Sequence, residues 1–188
     1  MDPLSALRHR RSTPSRLLGP PGPDAGQLRA LLECAVRVPD HGKLAPWRFV
    51  AIAGDARLAL GEVLAARSLE REPAAAPALV EKDRLRFSHA PLVLAVLARL
   101  TPGHKVPEQE QLLSGGALCF QLLLAADAMG FGGQWLTGWP AYDAAVAARL
   151  GLGADERVLG FIHLGTPREA VPERERPDAM ALLSELRP

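Results

Sequence analysis

The 188-residue chain contains few cysteines and carries almost no net charge. Cys34 and Cys119 are far apart and form no Cys-x-x-Cys pair, so we expect two buried, reduced thiols and no disulfide framework. The 22 basic residues nearly balance the 21 acidic ones, which gives a net charge of +1. This balance offers no electrostatic reason to expect a nucleic acid or an anionic membrane as a partner, so any anion must be bound locally.

The sequence also lacks the motifs that would place a reactive group on the protein itself. It has no Gly-x-Ser-x-Gly nucleophile elbow, and its five histidines show no metal-ligand spacing. The Gly-rich run at 130–138 follows a predicted helix instead of a strand, so it matches neither a phosphate loop nor a dinucleotide-binding fingerprint. We therefore expect no metal site and no catalytic side chain.

Neither a secretory signal nor a membrane span is predicted. The N-terminus carries the acidic Asp2, a predicted helix cap, and no long apolar core. The longest apolar run, at about 112–130, contains Ser114 and Asp127, which favours a buried helix. The length suits one domain, so we expect residues 1–188 to form a single cytoplasmic domain.

Helical patterns outnumber strand patterns along the chain. Asp24 and Gln27 have the spacing of a capping box at a helix start. A long central helix is predicted from about Pro107, and its Gly115-Gly116 pair, at about 1 kcal/mol per glycine, requires a close neighbour. That neighbour would be a helix, such as one from a second subunit, or a cofactor. Three apolar runs are predicted as buried strands: Trp47–Ala53, Leu92–Leu97 and Val158–Leu164.

The first candidate binding segment is Arg37–Phe49, RVPDHGKLAPWRF, which directly precedes a predicted strand. Arg37, His41 and Lys43 can hold or steer negative charge, and Gly42 allows a positive φ or the close approach of a ligand. A polar connection that ends a helix at Pro39 is an alternative interpretation of the same residues.

Two further segments indicate an anionic ligand. Arg10, Arg11 and Ser12 close the first predicted helix, where they form either an oxyanion clamp or a set of solvated charges that compensate the helix dipole. Residues 131–139 mix glycines with aromatic side chains in a way that suits a flat ligand. Flavin mononucleotide (FMN) would use all of these segments, since it has one phosphate, a polyhydroxy chain and a planar ring.

The order of these residues resembles a known family. The blocks are Arg10-Arg11-Ser12, Pro39-Asp40-His41 through Pro46-Trp47-Arg48-Phe49, His104-Lys105-Val106-Pro107, Gly130-Phe131-Gly132-Gly133 and Leu164-Gly165-Thr166-Pro167. Over about residues 2–167 they resemble the small, YdjA-like branch of the nitroreductase family.

The resemblance implies an α+β fold with a central, mostly antiparallel sheet flanked by helices, in an intertwined homodimer with two FMN sites at the subunit interface. It also implies an FMN-dependent oxidoreductase, in which a hydride from NADH or NADPH passes through flavin N5 to a nitroaromatic, quinone or similar small-molecule acceptor by a ping-pong cycle. The tail at 168–188 lies outside the resemblance and would form a dimer arm. Two alternatives are a flavin-binding carrier or sensor without turnover, and a structural dimer whose basic clusters are surface charge.

The resemblance assigns the cofactor contacts at both ends of FMN. Arg10 and Ser12, with Arg11 beside them, would hold the phosphate and the ribityl chain. Arg37 and His41 would contact the flavin, His41 from the partner chain. We take Arg37 as the candidate cation for the negative charge around N1 and O2 of the reduced flavin.

Trp135, Leu136 and Thr137 would line the ring and supply backbone donors. Relatives have Arg-Ser where this chain has Leu136-Thr137, so one polar contact to flavin or substrate is expected to be missing. Near the C-terminus only Arg168 is expected to be available for the phosphate, so weaker FMN binding is expected.

Overall fold

The computed structural model describes residues 3–187, so the predicted cap Asp2 lies outside the described residues. In chain order the elements are α1 (Pro3–His9), β1 (Leu18–Gly19), α2 (Ala25–Ala35), β2 (Trp47–Ala53), α3 (Asp55–Arg71), α4 (Pro77–Arg84), β3 (Leu92–Arg99), α5 (Glu108–Ala128), β4 (Gly132–Leu136), α6 (Ala144–Arg149) and β5 (Glu156–Pro167). Short 3-10 turns occur at Ser15–Leu17, His41–Lys43, Trp139–Tyr142 and Met180–Leu182.

Strand β5 is the centre of an antiparallel sheet. It pairs with β3 along 156–164 and with β4 along 161–165, so these two strands lie on its opposite edges. β2 pairs with the outer edge of β3, and the two residues of β1 pair with the end of β5. The predicted α+β fold with a central antiparallel sheet is confirmed.

The two faces of the sheet carry separate cores, because successive strand residues point to opposite sides. On one face Leu94 and Ile162 pack with Leu122 of α5. On the other, Val93 and Phe161 pack with Leu64 of α3. Helices therefore cover both faces and leave β4 near the rim.

Local sequence signals account for several element bounds. The Asp24 carboxylate accepts a hydrogen bond from Gln27 N at 2.8 Å, and Gln27 Oε1 accepts one from Asp24 N at 3.0 Å, so the predicted capping box is present. β2 spans the predicted Trp47–Ala53, but the prediction of a buried strand is wrong, since only Ile52 is buried. Because β2 is an edge strand, most of its side chains are half-exposed.

Helix α5 is the 21-residue central helix that the apolar run predicts. By length and composition it could cross a membrane, but its buried side chains pack against the sheet as part of the core. A Cβ at Gly115 would lie 2.3 Å from Leu159 Cδ1, so the close neighbour of this glycine is a strand of the same chain. At Gly116 nothing lies within 4 Å of such a Cβ.

The two cysteines differ in exposure. Cys119 is buried in α5, and burial raises the pKa of its thiol to about 12. Cys34 is exposed, so the prediction that both thiols are buried is wrong for this residue. It lies in the last turn of α2, where the apolar pattern does not reveal which side faces solvent.

Candidate functional site

The segment after α1 runs beside β4 and is held there by the backbone. Thr13 N donates to Gly133 O at 3.0 Å, and Ser15 N donates to Gln134 Oε1 at 2.6 Å. A Cβ at Gly132 would lie 2.7 to 2.9 Å from side-chain atoms of Leu18, Pro167 and Thr13, so only glycine allows this approach. The Gly-rich run therefore brings the basic segment onto the sheet.

The arginine pocket, as we call it, is a cavity of about 160 Å³ at the start of this segment. Its lining residues are Arg10, Arg11, Ser12, Val171, Pro172, Arg174 and Arg176. The structure therefore brings the predicted Arg10, Arg11 and Ser12 together, with Arg10 Nη1 3.5 Å from Ser12 Oγ.

The tail supplies two arginines to this pocket that the sequence prediction missed. Arg174 and Arg176 line it, whereas the side chain of Arg168 lies against Gly19. The expectation that only Arg168 is available is therefore wrong. Glu173 forms ion pairs with Arg11 and Arg176, which hold this part of the tail against the start of the chain.

The charges in the arginine pocket repel one another. Burial lowers the pKa of Arg10, and the guanidinium groups of Arg176, Arg174 and Arg11 lower it further, while Asp127 opposes them. Burial likewise raises the pKa of Asp127, with Arg10 and Arg11 acting in the opposite direction. An anion in this cavity would relieve the repulsion among the guanidinium groups.

A second basic cavity, the β4 pocket, lies on the other side of the same segment and has a volume of about 320 Å³. Its lining residues are Pro14, Ser15, Arg16, Lys82, Arg86, His89, Gln134 and Leu136. Within residues 3–187, no acidic side chain lies within ion-pair distance of Arg16 or Lys82. The sequence does not single out these basic residues, because Arg16 is far along the chain from Lys82 and Arg86, and the last two lie in a mixed-charge segment, EKDRLR at 81–86, that looks like a solvated helix surface.

The predicted ring-lining residues Trp135, Leu136 and Thr137 are divided between the two sides of the sheet. Leu136 lines the β4 pocket, and Thr137 follows directly after β4. Trp135 points to the opposite face, where its indole Nε1 donates to Leu159 O at 3.1 Å and 37% of the residue stays exposed. Leu136 and the backbone that follows it are therefore the part of this block next to the β4 pocket.

The candidate residues Arg37 and His41 lie at the other end of α5. His41 Nδ1 is 2.6 Å from Glu110 Oε2 in the first turn, whereas the Arg10 guanidinium lies 5.9 Å from the ring centre of Phe120. Ten residues of helix separate Glu110 from Phe120, which corresponds to about 15 Å along the axis. One chain therefore does not bring Arg37 and His41 to Arg10.

The loop that carries His41 has a defined conformation. Gly42 has a φ of 76°, so the predicted positive φ is confirmed. The Asp40 carboxylate accepts hydrogen bonds from Leu44 N at 3.2 Å and Ala45 N at 2.8 Å. These bonds hold the loop together while the side chains of Arg37 and His41 stay exposed.

An apolar stripe on α5 connects these two regions. Leu113 is 64% exposed and Phe120 is 45% exposed, and Gly116 and Ala117 lie between them on the same side of the helix. The stripe is apolar, unlike the exposed side of an ordinary surface helix. It has the composition of a helix surface that packs against another protein surface.

A buried histidine lies near the β4 pocket. His163 of β5 is fully buried, pairs across the sheet with Gln134, and stacks on Phe87 with ring centres 5.8 Å apart. Neither ring nitrogen has a hydrogen-bond partner among the described residues. Burial lowers the pKa of His163 to about 4, and the charges of Arg86 and His89 contribute to the shift.

Comparison with known proteins shows which family the chain matches. The model of the Nitroreductase family matches residues 7–166. The chain is 36% identical over 171 residues to YdjA of Escherichia coli (strain K12), which carries the provisional name NAD(P)H nitroreductase, and the match covers 89% of this chain and 90% of YdjA.

Solved structures share the fold. A nitroreductase-like family protein from Bacillus cereus superposes with a TM-score of 0.83 at 21% identity, over 97% of this chain and 95% of that one. A variant of NfnB from Sphigopyxis sp. strain HMH, described as an FMN- and NADPH-dependent nitroreductase, superposes with a TM-score of 0.76 at 21% identity, over 98% of both chains.

Proposed function

Since this chain belongs to the nitroreductase family, we propose that it is an FMN-dependent oxidoreductase that uses NADH or NADPH to reduce a nitroaromatic, quinone or similar small-molecule acceptor. The observation that carries the proposal is the pair of adjacent basic cavities on either side of the segment 12–15. One is small and surrounded by guanidinium groups, and the other is larger and bounded by strand β4.

The arginine pocket fits the phosphate of FMN. Arg10, Arg174 and Arg176 line one cavity, and although Arg176 also pairs with Glu173, the charges of Arg174 and Arg176 lower the pKa of Arg10, so a doubly charged anion would be favoured there. Ser12 adds a hydroxyl donor at the mouth, where the ribityl chain would leave the phosphate. This agrees with the expected roles of Arg10, Arg11 and Ser12.

The β4 pocket fits the ring. Ser12 lines the arginine pocket and Arg16 lines the β4 pocket. Four residues of extended chain span at most about 14 Å, so the two cavities are close enough for one ligand to occupy both. Arg16 and Lys82 line this pocket and would stabilise negative charge on a reduced flavin bound there, as Arg37 would from a second subunit. Backbone N–H groups that follow Leu136 are the candidate donors to the ring edge.

A homodimer would complete the site. If α5 packs antiparallel against its copy with the twofold axis near Gly116 and Ala117, Leu113 of one chain meets Phe120 of the other. His41 and Arg37 of the partner subunit then approach Arg10, which explains why a single chain separates them. The tail at 168–188, whose Met180, Leu183 and Leu186 are exposed, would extend over the partner as an arm.

The residues of this chain would bind and orient FMN and its substrates, and the redox chemistry would come from the cofactor. When bound, FMN would supply two-electron chemistry at N5, taking a hydride from NADH or NADPH and passing two electrons to the acceptor, with protons from water, in the ping-pong cycle that the family resemblance implies.

An absorbance spectrum tests the proposal. The purified protein is mixed with FMN, desalted, and then reduced anaerobically with NADH or with NADPH. A retained flavin band that bleaches with either nucleotide, followed by recovery when a quinone or nitroaromatic is added, is expected. A retained band that neither nucleotide bleaches would instead favour a carrier or sensor, and loss of all flavin would contradict both.

A further inference from the structure

We propose that the buried carboxylate of Asp83 positions the wall of the β4 pocket and tunes the charge beside a bound flavin, an inference that rests on the proposed function. Asp83 is in α4, behind the pocket wall, and only 8% of it is exposed. It accepts hydrogen bonds from two side chains on different segments. Arg86 Nη2 donates to Oδ1 at 2.7 Å, and Trp139 Nε1 donates to Oδ2 at 3.2 Å.

Asp83 orients the side chain of Arg86, which lines the β4 pocket. Arg86 lines the β4 pocket, and two of its three guanidinium nitrogens, Nε and Nη2, donate to Asp83. The third nitrogen, Nη1, lies 3.3 Å from where a Cβ would stand on Gly138. The carboxylate therefore holds the planar guanidinium group with one edge turned toward the end of β4.

Through Trp139, Asp83 also controls the backbone that follows β4. Trp139 begins the 3-10 turn directly after Gly138, whose φ is 67°. The indole is fixed on its other side by Arg71, whose guanidinium lies 4.6 Å from the ring centre. Anchoring this indole limits the movement of residues 136–138, from which donors to the flavin ring would come.

The charge of Asp83 has a separate consequence. Its ion pair with Arg86 neutralises one cation of the pocket, which leaves Arg16 and Lys82 as the pocket arginine and lysine without an ion-pair partner among residues 3–187. Reduction places negative charge on the flavin, so each uncompensated cation nearby favours binding of the reduced form over the oxidised form. Removing the carboxylate would therefore change the ratio of the two affinities.

The ratio of the affinities for oxidised and reduced FMN distinguishes a residue that tunes the charge beside the flavin from a residue with a purely structural role. Dissociation constants are measured for oxidised and for reduced FMN, anaerobically for the latter, in the full chain. For Asp83→Asn we expect the preference for reduced FMN to rise about tenfold, which for a two-electron couple corresponds to a midpoint potential about 30 mV more positive. For Arg86→Gln, which leaves the carboxylate uncompensated, we expect a change of opposite sign.

Two control variants sharpen the test. Glu81→Gln removes the same charge from the same helix, but Glu81 pairs with Arg84, which also pairs with Glu62, so the ratio should stay unchanged. Trp139→Phe keeps the charge pair and removes one hydrogen bond to Asp83, so both affinities should fall together with little change in the ratio.

The outcomes distinguish this inference from the proposed function. No FMN binding by the unaltered protein overturns the proposed function, and the inference with it. FMN binding with the same affinity ratio in Asp83→Asn and Arg86→Gln overturns the inference alone. If Asp83→Asn does not fold, the sign of the change in Arg86→Gln decides.

Discussion

The two ends of α5 carry two halves of the proposed site, and one chain completes only one of them. At the C-terminal end, Arg10 is partly buried and shares a cavity with arginines from the tail. At the N-terminal end, Arg37 and His41 are exposed, and His41 pairs with Glu110. The difference indicates that folding of one chain would build the proposed phosphate end, whereas association of two chains would build the rest.

The largest expected effect comes from Gly116→Glu. Nothing lies within 4 Å of a Cβ at Gly116, so one chain should fold normally, but in the proposed dimer two carboxylates would meet at the twofold axis. We expect a monomer by sedimentation, helical by circular dichroism, with FMN no longer retained on desalting. Gly26→Glu, at an exposed position of α2, is the control. A dimer that persists in Gly116→Glu would contradict the proposed packing.

Arg10→Ala should weaken FMN binding at the arginine pocket, the half of the proposed site that one chain completes. Losing a partly buried guanidinium from an anion site costs about 1.5 to 3 kcal/mol, so FMN affinity should fall roughly 10- to 100-fold, as measured by quenching of flavin fluorescence. Arg8→Ala removes an exposed arginine of α1, two residues before Arg10, and should leave the affinity unchanged. An Arg10→Ala protein that retains all its FMN through dialysis would reduce Arg10 to a helix-end charge.

His163 is buried within one chain, so its contribution to stability should not depend on dimerisation. Its pKa is lowered from 6.5 to about 4 by burial, and by Arg86 and His89. The unfolded chain therefore binds the proton first, and stability falls as the pH falls from about 6.5 through 4, with no such contribution above 6.5. Between pH 7 and pH 5 this group alone should cost about 2 kcal/mol.

Urea unfolding of His163→Phe measures this contribution. The aromatic replacement can keep the stacking on Phe87 and removes the titration, so the variant should lose about 2 kcal/mol less than the unaltered chain between pH 7 and pH 5. His9→Gln, at an exposed position of α1, is the control, and the same difference is expected in the Gly116→Glu background. Equal pH dependence of His163→Phe and the unaltered chain would show that His163 does not titrate in this range.

Arg37→Ala should have the smallest effect on FMN. Arg37 is exposed, and it would reach the flavin only across the dimer interface, so we expect about fivefold weaker binding or slower reduction by the nucleotide in stopped-flow measurements. Lys43→Ala, in the same loop, is the control. Full FMN occupancy with unchanged reduction kinetics would remove Arg37 from the site and leave Arg16 and Lys82 as the candidate cations.

The sequence predicts β2, β3 and β5, which read as apolar runs, and misses β4, whose pattern is broken. β3 and β5 read as apolar runs because helices cover both faces. β4 contains Gly132, Gly133 and Gln134, which are poor strand formers, and it is a strand because β5 offers an edge to pair with. The same glycines admit the segment that carries Arg10, so this part of the site depends on packing that no local pattern reveals.

The sequence likewise predicts only part of the candidate site. Arg10, Arg11 and Ser12 are recognisable because they are contiguous and belong to an ordered set of motifs. Arg174 and Arg176 are not, because a charged tail broken by prolines looks the same whether it is solvated or folded back on the chain. Arg16, Lys82 and Arg86 are missed for a related reason, since Arg16 stands alone and the other two belong to the mixed-charge run at 81–86, which looks the same on a solvated helix.

By itself, the sequence determined the central helix, the capping box and the order of motifs that places the chain in its family, and the α+β class followed from the resemblance that those motifs carry. Each of these signals lies in residues that are neighbours along the chain, where periodicity and capping act. Only the tertiary structure decided which cations share a cavity, that Asp83 joins Arg86 to Trp139, and that Arg37 and His41 stand at the far end of α5. These arrangements join residues as far apart in the sequence as Arg10 and Arg176, which only the tertiary packing of the chain brings together.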